Sequence, residues 1–152
     1  MSEVFKNEPA EYPRMLSRSV TYLHRQKIKY MNDHLKEYNL HGCMYTIITY
    51  VARNPGTSQD AIVCFMNIDK CTVARRTKKL EELGYIRREV DSNDRRQNNL
   101  YLTDKGEAIV PIIRGHLSDW SNNNLKDLTE EEEVTLVTLL DKVVETCYEN
   151  NN

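Results

Sequence analysis

Apolar residues recur at helical spacing along the first part of the chain. From Pro13 they return every three to five positions as far as about Tyr38, which predicts one long amphipathic helix. Its apolar stripe consists of Leu16, Val20, Leu23, Ile28, Met31 and Leu35. At about 1.5 Å per residue this helix is roughly 35 Å long, so it needs a partner helix to cover it. A second helix is expected between the turn at 39–42 and the Asn54-Pro55-Gly56 turn.

The next segment predicts two short helices joined by a tight turn. The pair Thr57-Ser58, followed by Asp60 and Ala61, predicts an N-cap for the first helix, and Asp69 predicts one for the second. Asn67 tolerates the left-handed conformation of a turn, and Gly84 ends the second helix. The residues expected to face inward are Ile62, Val63, Phe65 and Met66 in the first helix, and Val73, Thr77, Leu80 and Leu83 in the second. The pair is a candidate helix-turn-helix.

Beyond Gly84 the hydrophobic period shortens. Segments 85–90 and 99–102 alternate as strands do, and the polar segment 91–97 between them predicts a β-hairpin with a charged tip. Thr103 then caps a helix that reaches about Leu125. The apolar positions of that helix are Ile109, Ile112, Ile113, Leu117 and Trp120. Thr129 and Glu132 form a capping box for a last helix, whose apolar positions are Val134, Leu136, Val137, Leu140, Val143 and Val144. The fold class is mainly α with a small β-hairpin.

Length and composition place the chain among ordinary folded domains. It has 152 residues, of which 39% are hydrophobic and 29% charged, and we expect a single domain over 1–152. It contains neither a stretch of about 20 apolar residues nor the apolar core of a secretory signal. The expected location is therefore cytoplasmic, with no membrane partner.

The net charge of −2 and the isoelectric point near 6.1 argue against a nucleic-acid partner, but they hide an uneven distribution. The segment Lys70–Lys79 carries five cations and no acid, whereas Asp127–Glu149 carries eight acids and one lysine. A basic run on a helix is more often a solvated face than a nucleic-acid site. Here it falls on the second helix of the helix-turn-helix, followed by a hairpin whose tip carries arginines.

This combination fits duplex DNA. The basic helix would enter the major groove with Arg75 as the best residue for a guanine, while Gln59 and the capped amides of the preceding helix would meet phosphates. Arg95 and Arg96 suit the minor groove, whose negative potential attracts arginine. The predicted DNA-binding residues are Ser58, Gln59, Lys70, Cys71, Thr72, Arg75, Arg76, Lys79, Arg95 and Arg96.

The hairpin also carries a specific motif. Asp94-Arg95-Arg96 is followed after five residues by Leu102-Thr103 and then by Gly106. This D-x-R-x5-L-T-x-x-G pattern resembles the wing of the MarR family of transcriptional regulators. The helix-turn-helix is similar to that family's at Ser58-Gln59, Ile68-Asp69-Lys70, Thr72-Val73, Arg75, Leu80-Glu81 and Gly84. The resemblance implies a winged helix-turn-helix homodimer that binds pseudo-palindromic operators and is released by a small ligand or by thiol oxidation.

The resemblance also assigns roles to particular segments and residues. It implies dimerisation helices at 12–38 and 104–149 and a DNA-binding lobe at 40–103. Within that lobe, the helix-turn-helix spans about 58–83 and the wing about 85–103. Arg96 resembles the wing-tip arginine and Asp94 the acid that orients it, although Asp94 also suits a turn with no partner. The chain departs from the family pattern at Val63, Cys71 and Arg76.

An effector cleft is expected between the dimerisation helices and the lobe. The residues that would line it are Tyr12, Arg14, Tyr22, His24, Tyr38 and Tyr45. Arg14 or His24 would pair with a carboxylate and the tyrosines would stack on an aromatic ring, although a tyrosine at helical spacing is more often a core or interface residue. Cys43 and Cys71 are candidate redox thiols, the former also fitting an ordinary buried small residue.

Enzymatic and metal chemistry have no support. The four cysteines lack C-x-x-C spacing, the four histidines are dispersed, and no catalytic or cofactor motif appears, so we expect no metal, no cofactor and no enzyme activity. The predicted function is a sequence-specific DNA-binding transcriptional regulator, acting as a repressor and modulated by a small, often aromatic ligand. The alternatives are a thiol-based redox-sensing regulator and a winged-fold ligand- or protein-binding module without an operator.

Overall fold

The structure is a computed structural model that describes residues 12–90 and 98–150, with side chains from residue 15 onward. The described residues form the following elements in chain order: α1 (Tyr12–Leu35), a short 3₁₀ helix (Lys36–Tyr38), α2 (Met44–Arg53), β1 (Thr57–Ser58), α3 (Gln59–Met66), α4 (Lys70–Glu82), β2 (Ile86–Val90), β3 (Asn98–Leu102), α5 (Asp104–Leu125) and α6 (Glu130–Glu149). The predicted class, mainly α with a small β-hairpin, is confirmed. None of these helices is long and apolar enough to cross a membrane.

The chain divides into two compact units, Met1–Leu117 and Ser118–Asn152. The core of the first unit is a single apolar cluster contributed by α1, α2, α3, α4, the sheet and the first half of α5. Its fully buried side chains include Met31, Ile47, Ile62, Leu80, Leu100 and Ile113. Burial of apolar surface contributes roughly 25 cal/mol per Å², so burial of these side chains is the main source of stability for the first unit.

The helix-turn-helix forms as its capping residues predict. The Ser58 hydroxyl accepts a hydrogen bond from the Ala61 amide at 3.1 Å, and the Asp69 carboxylate accepts one from the Thr72 amide at 2.8 Å. Each bond satisfies an amide that the first helical turn leaves unpaired. Asn67 adopts the left-handed conformation with φ of 49° and turns the chain between the two helices. The local sequence therefore accounts for where the two helices begin and for the turn between them.

Three details differ from the sequence-based expectations. The first helix ends at Leu35, and a separate 3₁₀ turn precedes Asn39, whose left-handed φ of 57° reverses the chain. Phe65 was expected to face inward but is 47% exposed, because α3 buries Ile62 and leaves Phe65 stacked on Tyr50 at 4.3 Å. Leu83, predicted in the buried stripe of α4, is half-buried at the helix end.

The sheet has a third strand that the sequence does not reveal. Thr57 and Ser58 form the two-residue strand β1, which pairs antiparallel with β3 opposite Leu100 and Asn99. The strand order is β1-β3-β2, with β2 and β3 paired from Ile86↔Leu102 to Val90↔Asn98. Since two residues are too few for an alternating pattern, β1 arises from tertiary pairing alone.

The start of α5 is joined to the sheet through Tyr85. The Thr103 hydroxyl donates to the Gly84 carbonyl at 2.5 Å and accepts from the Gly106 amide at 3.1 Å, and the Thr103 amide donates to the Tyr85 carbonyl at 3.1 Å. Lys105 adds a bond to the Leu83 carbonyl at 2.7 Å and lies over the Tyr85 ring. Gly106 is required by this contact, since a Cβ there would lie 2.0 Å from the Tyr85 carbonyl oxygen. The L-T-x-x-G part of the motif therefore has a structural role, since it holds the start of α5 against Gly84 and Tyr85.

The second unit contains the end of α5 and all of α6. Thr129 and Glu132 form the predicted capping box, with the Glu132 carboxylate accepting from the Thr129 amide at 2.8 Å. Hydrogen bonds from the Thr129 backbone and hydroxyl hold the pKa of Glu132 below its usual range. The apolar side chains of α6 are exposed, and they are Val134, Leu136, Val137, Leu139, Leu140, Val143 and Val144.

We predict that Gly106→Ala destabilises the protein by about 3 kcal/mol, because its methyl group overlaps a backbone oxygen that cannot move aside. For a chain of this size the thermal midpoint should fall by roughly 10 °C, measured by circular dichroism. Gly115→Ala on the same helix is the matched control, since a Cβ there meets nothing within 4 Å and alanine favours helix by about 0.5–1 kcal/mol. Equal midpoints for the two variants would contradict the assigned contact.

Candidate nucleic-acid interface

Helix α4 presents most of its basic residues outward. Val73, Thr77 and Leu80 are fully buried on its inner side. The exposed residues of its remaining surface include Lys70, Cys71, Arg75, Lys78 and Lys79. Because the inner stripe is anchored in the lobe core, this helix is held with its cationic side facing solvent.

The cations on α4 are weakly engaged within the lobe. Lys70 lies 2.9 Å from the Asp60 carboxylate and Lys79 lies 3.4 Å from that of Glu82, and all four side chains are exposed. Exposed pairs of this kind contribute about 0–1 kcal/mol and exchange readily for another anion. Among the described residues, Arg75 has no carboxylate within 4 Å. These cations are therefore available to phosphate or to base edges.

The N-terminal end of α4 is stabilised by Asp69. Hydrogen bonds from the Thr72 side chain and from the Thr72 backbone hold the pKa of Asp69 below its usual range. The carboxylate therefore stays ionised and caps the helix down to a pH below its unfolded pKa of about 3.9. Thr72, predicted as a DNA contact, is half-buried and takes part in this cap. Cys71 beside it is exposed.

Three other predicted DNA contacts, Ser58, Gln59 and Arg76, are half-buried. Ser58 uses its hydroxyl as the α3 cap. Arg76 is half-buried, and its guanidinium lies near Gly42 in the connection between α1 and α2. Gln59 belongs to a polar network with Thr77 and Arg88. The structure therefore separates these three from the exposed cations of α4.

The polar network centres on Arg88, which sequence reasoning missed. With the Gln59 amide oriented to satisfy its neighbours, its oxygen accepts from the two Arg88 guanidinium Nη atoms at 3.0 and 3.1 Å and from the Thr77 hydroxyl at 2.6 Å. Arg88 Nε also donates to the Glu81 carboxylate at 2.8 Å. In β2, Arg88 shares a face with buried Ile86, two residues away. A cation on the inward face of a predicted strand is the feature that would have identified it.

The predicted wing residues Asp94, Arg95 and Arg96 lie in 91–97, outside the described residues. The strands that carry this segment are described up to Val90 and Asn98, which are direct partners. At the base of the hairpin, Arg87 lies over the Tyr101 ring at 4.8 Å and forms an ion pair with Glu89.

The predicted effector residues lie in different surroundings. Tyr45 is buried, and that burial raises the pKa of its hydroxyl. Tyr38 is half-buried, and its carbonyl accepts from the Tyr85 hydroxyl at 2.9 Å. Tyr22 and His24 are exposed. The side chains of Tyr12 and Arg14 lie outside the described part of the chain.

Cavities in the described part of the first unit include two of small-molecule size. One, of about 410 Å³, lies along α1 and includes His24 in its wall. The other, of about 330 Å³, lies between the end of α2, the sheet and α5. Its polar groups are Arg87, Tyr101, Glu107 and Arg114, and its apolar wall includes Val51, Leu102 and Val110. A cavity of this size and mixed character suits a small organic molecule.

The thiols and potential metal ligands are dispersed. Cys43 is half-buried at the N-cap of α2, and Cys64, Cys71 and Cys147 are exposed. The described residues contain no group of three or more His, Cys, Asp or Glu side chains placed to hold a metal ion.

Comparison with known proteins identifies the family. The MarR family model matches residues 44–97. The chain is 31% identical over 133 residues to the HTH-type transcriptional regulator BilQ of Clostridioides difficile, covering 88% of each chain. A crystal structure of MarR superposes with a TM-score of 0.86 at 28% identity over 97% of both chains. A MarR-family regulator from Listeria monocytogenes, solved with a 26-mer DNA, gives a TM-score of 0.82 at 28% identity over 88% of this chain and 89% of that one.

These relatives are transcriptional regulators. Helix α3, the turn at Asn67, the exposed basic helix α4 and the hairpin of β2 and β3 form a winged helix-turn-helix. The chain belongs to the MarR family of transcriptional regulators.

Proposed function

We propose that the protein is a cytoplasmic repressor that binds a pseudo-palindromic operator as a homodimer. The observation that carries this proposal is the anchored α4 helix, whose inner face is buried while Arg75 and its neighbouring lysines remain exposed. The similar Listeria regulator was solved in a complex with DNA, which supports the same use of this surface. Repression follows when an operator occupied by the dimer blocks access of polymerase.

Within the proposed complex, α4 enters the major groove. Lys70, Cys71, Thr72 and Arg75 lie in its first two turns, which is the part of a recognition helix that meets base edges. Lys79 lies in its last turn and is better placed for phosphate. Arg95 and Arg96 are proposed to enter the adjacent minor groove, with Asp94 orienting Arg96, as the family motif implies.

The dimer is supported by two exposed apolar stripes. Leu16, Val20 and Leu23 in α1 are each close to half exposed, at helical spacing. The apolar side of α6 is likewise exposed over its whole length. Apolar stripes of this extent are rare on monomeric proteins and mark an interface. A two-fold dimer also matches the symmetry of a palindromic site, with recognition helices about 34 Å apart.

Selection of bound sequences from a random DNA pool tests the operator directly. We expect enrichment of a palindrome whose half-sites are about one helical turn apart. Failure to enrich any sequence at low salt, where phosphate contacts persist, would favour a winged-fold ligand- or protein-binding module without an operator.

Regulation by a small ligand is part of the proposal. The cavity between α2, the sheet and α5 supports it, because its mixed wall places Arg87 and Arg114 beside Tyr101, Glu107 and several apolar side chains. An organic anion with an aromatic body fits such a wall. The alternative of thiol control is favoured by one observation, the exposure of Cys71 on α4. Loss of operator binding on treatment with peroxide, and its retention in Cys71→Ser, would support that alternative.

We predict that Arg75→Ala weakens operator binding by about 1–3 kcal/mol and relaxes the preference at one base pair. Lys79→Ala, on the same helix, should weaken operator and unrelated DNA alike and lower the salt slope by about 1. Fluorescence anisotropy on both duplexes over a salt series measures these quantities. A uniform loss in Arg75→Ala would show that this arginine contacts phosphate instead of a base.

For the wing, Arg96→Ala is expected to weaken operator binding by about 1–3 kcal/mol and to relax the preference for A·T pairs beside the half-sites. The reason is the loss of a cation from a narrow groove of high negative potential. Affinity for duplexes with altered flanking pairs provides the measurement. An unchanged affinity and footprint would exclude Arg96 from the interface.

The wild-type protein is expected to have twice the 17.9 kDa mass of one chain in multi-angle light scattering at micromolar concentration. Leu140→Lys places a charge in the apolar side of α6 and should shift the mass toward one chain. Thr135→Lys adds the same charge to the polar side of this helix and should leave the dimer intact. A wild-type mass of one chain would exclude the homodimer.

A further inference from the structure

The Arg88 guanidinium connects three elements of the DNA-binding lobe. It extends from β2, reaches Gln59 at the start of α3 through both Nη atoms, and reaches Glu81 near the end of α4 through Nε. The Gln59 oxygen also accepts from Thr77, in the middle of α4. One side chain thereby sets the spacing of the wing strand and both helices of the helix-turn-helix.

Every nitrogen of this guanidinium is occupied within the lobe. Nε donates to Glu81, and the two Nη atoms donate to Gln59. The Arg88 side chain is 26% exposed and that of Glu81 is 40% exposed. Three of its five N–H groups therefore bond within the lobe, and these partners, together with the low exposure of the side chain, set its orientation.

The apolar core holds the lobe together without this network. Ile62, Val73 and Leu80 pack α3 against α4 and are fully buried. Apolar packing is non-directional, whereas hydrogen bonds at fixed lengths define relative orientation. Loss of the network should therefore leave a folded lobe in which α4 is less firmly oriented.

We propose that Arg88 is a positioning residue for operator recognition, fixing α4 relative to α3 and β2 without touching DNA. This inference rests on the proposed function of α4 as the recognition helix. Base-edge contacts need defined geometry, while phosphate contacts tolerate displacement and also provide non-specific binding. The specificity ratio, meaning the affinity for operator divided by that for a scrambled duplex, should therefore depend on Arg88.

The neighbouring Arg87 provides a matched control. It carries the same charge in the same strand but points to the opposite face, where it lies over Tyr101 and pairs with Glu89. Arg87→Gln and Arg88→Gln each remove one positive charge, at adjacent positions of β2. Only Arg88→Gln breaks the link to Gln59 and Glu81.

The test measures affinity for the selected operator and for a scrambled duplex over a salt series, together with the thermal midpoint. Arg88→Gln should lower the specificity ratio about tenfold, the equivalent of one charged hydrogen bond, while affinity for the scrambled duplex and the salt slope stay as in wild type. Arg88→Lys should not restore the ratio, because a single ammonium cannot reach Gln59 and Glu81 together.

Three results would overturn the proposal. A proportional loss on both duplexes with a salt slope lower by about 1 would make Arg88 a phosphate contact. An equal effect of Arg87→Gln would assign the loss to wing charge. An unchanged specificity ratio in folded Arg88→Gln would leave the network without a role in recognition.

Two further measurements keep the test decisive. If Arg88→Gln does not fold, Gln59→Ala removes the same link while keeping the Arg88–Glu81 pair, and a specificity ratio equal to that of wild type would then reject the proposal. Failure of the proposed function itself is distinguishable, because wild-type protein would then select no operator at all.

Discussion

The close contact between Gly106 and the Tyr85 carbonyl is the constraint on which the architecture depends. Only a residue without Cβ allows the first turn of α5 to approach this backbone, since a methyl group would lie 2.0 Å from the oxygen. Tyr85 itself is bonded to the end of α4 through the Leu80 carbonyl and to the end of the 3₁₀ turn through Tyr38. The position at which α5 leaves the sheet is therefore fixed relative to the recognition helix.

In the DNA-binding lobe, the residues that stabilise the fold are not the charged residues on the surface of α4. Apolar burial anchors the inner side of α4, while the ion pairs of Lys70 and Lys79 are exposed and contribute little. Neutralising those cations with phosphate therefore costs the fold almost nothing. The net charge of −2 gives no indication of this arrangement, because the acids of α6 cancel the basic segment only in the total. The distribution along the chain, not the sum, carries the functional information.

Local chemistry explains which features the sequence could predict. Ser58, Asp69 and Thr129 cap helices through bonds to residues three positions away, so their roles follow from neighbouring letters. The bonds of Arg88 join residues 7 to 29 positions apart and depend on how the hairpin packs, as does the pairing of β1. Phe65 was misassigned for a related reason, because periodicity identifies an apolar side of a short helix but not which of its residues the neighbouring elements cover. Tyr22 and His24 are exposed while Tyr38 and Tyr45 are half-buried and buried, a difference that depends on how their segments pack and that helical spacing alone does not predict.

Strand β2 links the proposed ligand cavity to the recognition helix. Arg87 lines the cavity and is held by Tyr101 and Glu89, while the next residue, Arg88, holds α3 and α4 on the other face. A ligand carboxylate that draws Arg87 from Tyr101 acts on the same short strand that orients α4. Such a ligand can change operator affinity only as far as it binds the protein more tightly with β2 displaced than with β2 in the position described. A displacement that weakens the Arg88 bonds would reduce base recognition before phosphate binding, so an effector at this cavity would lower specificity first and total affinity afterwards.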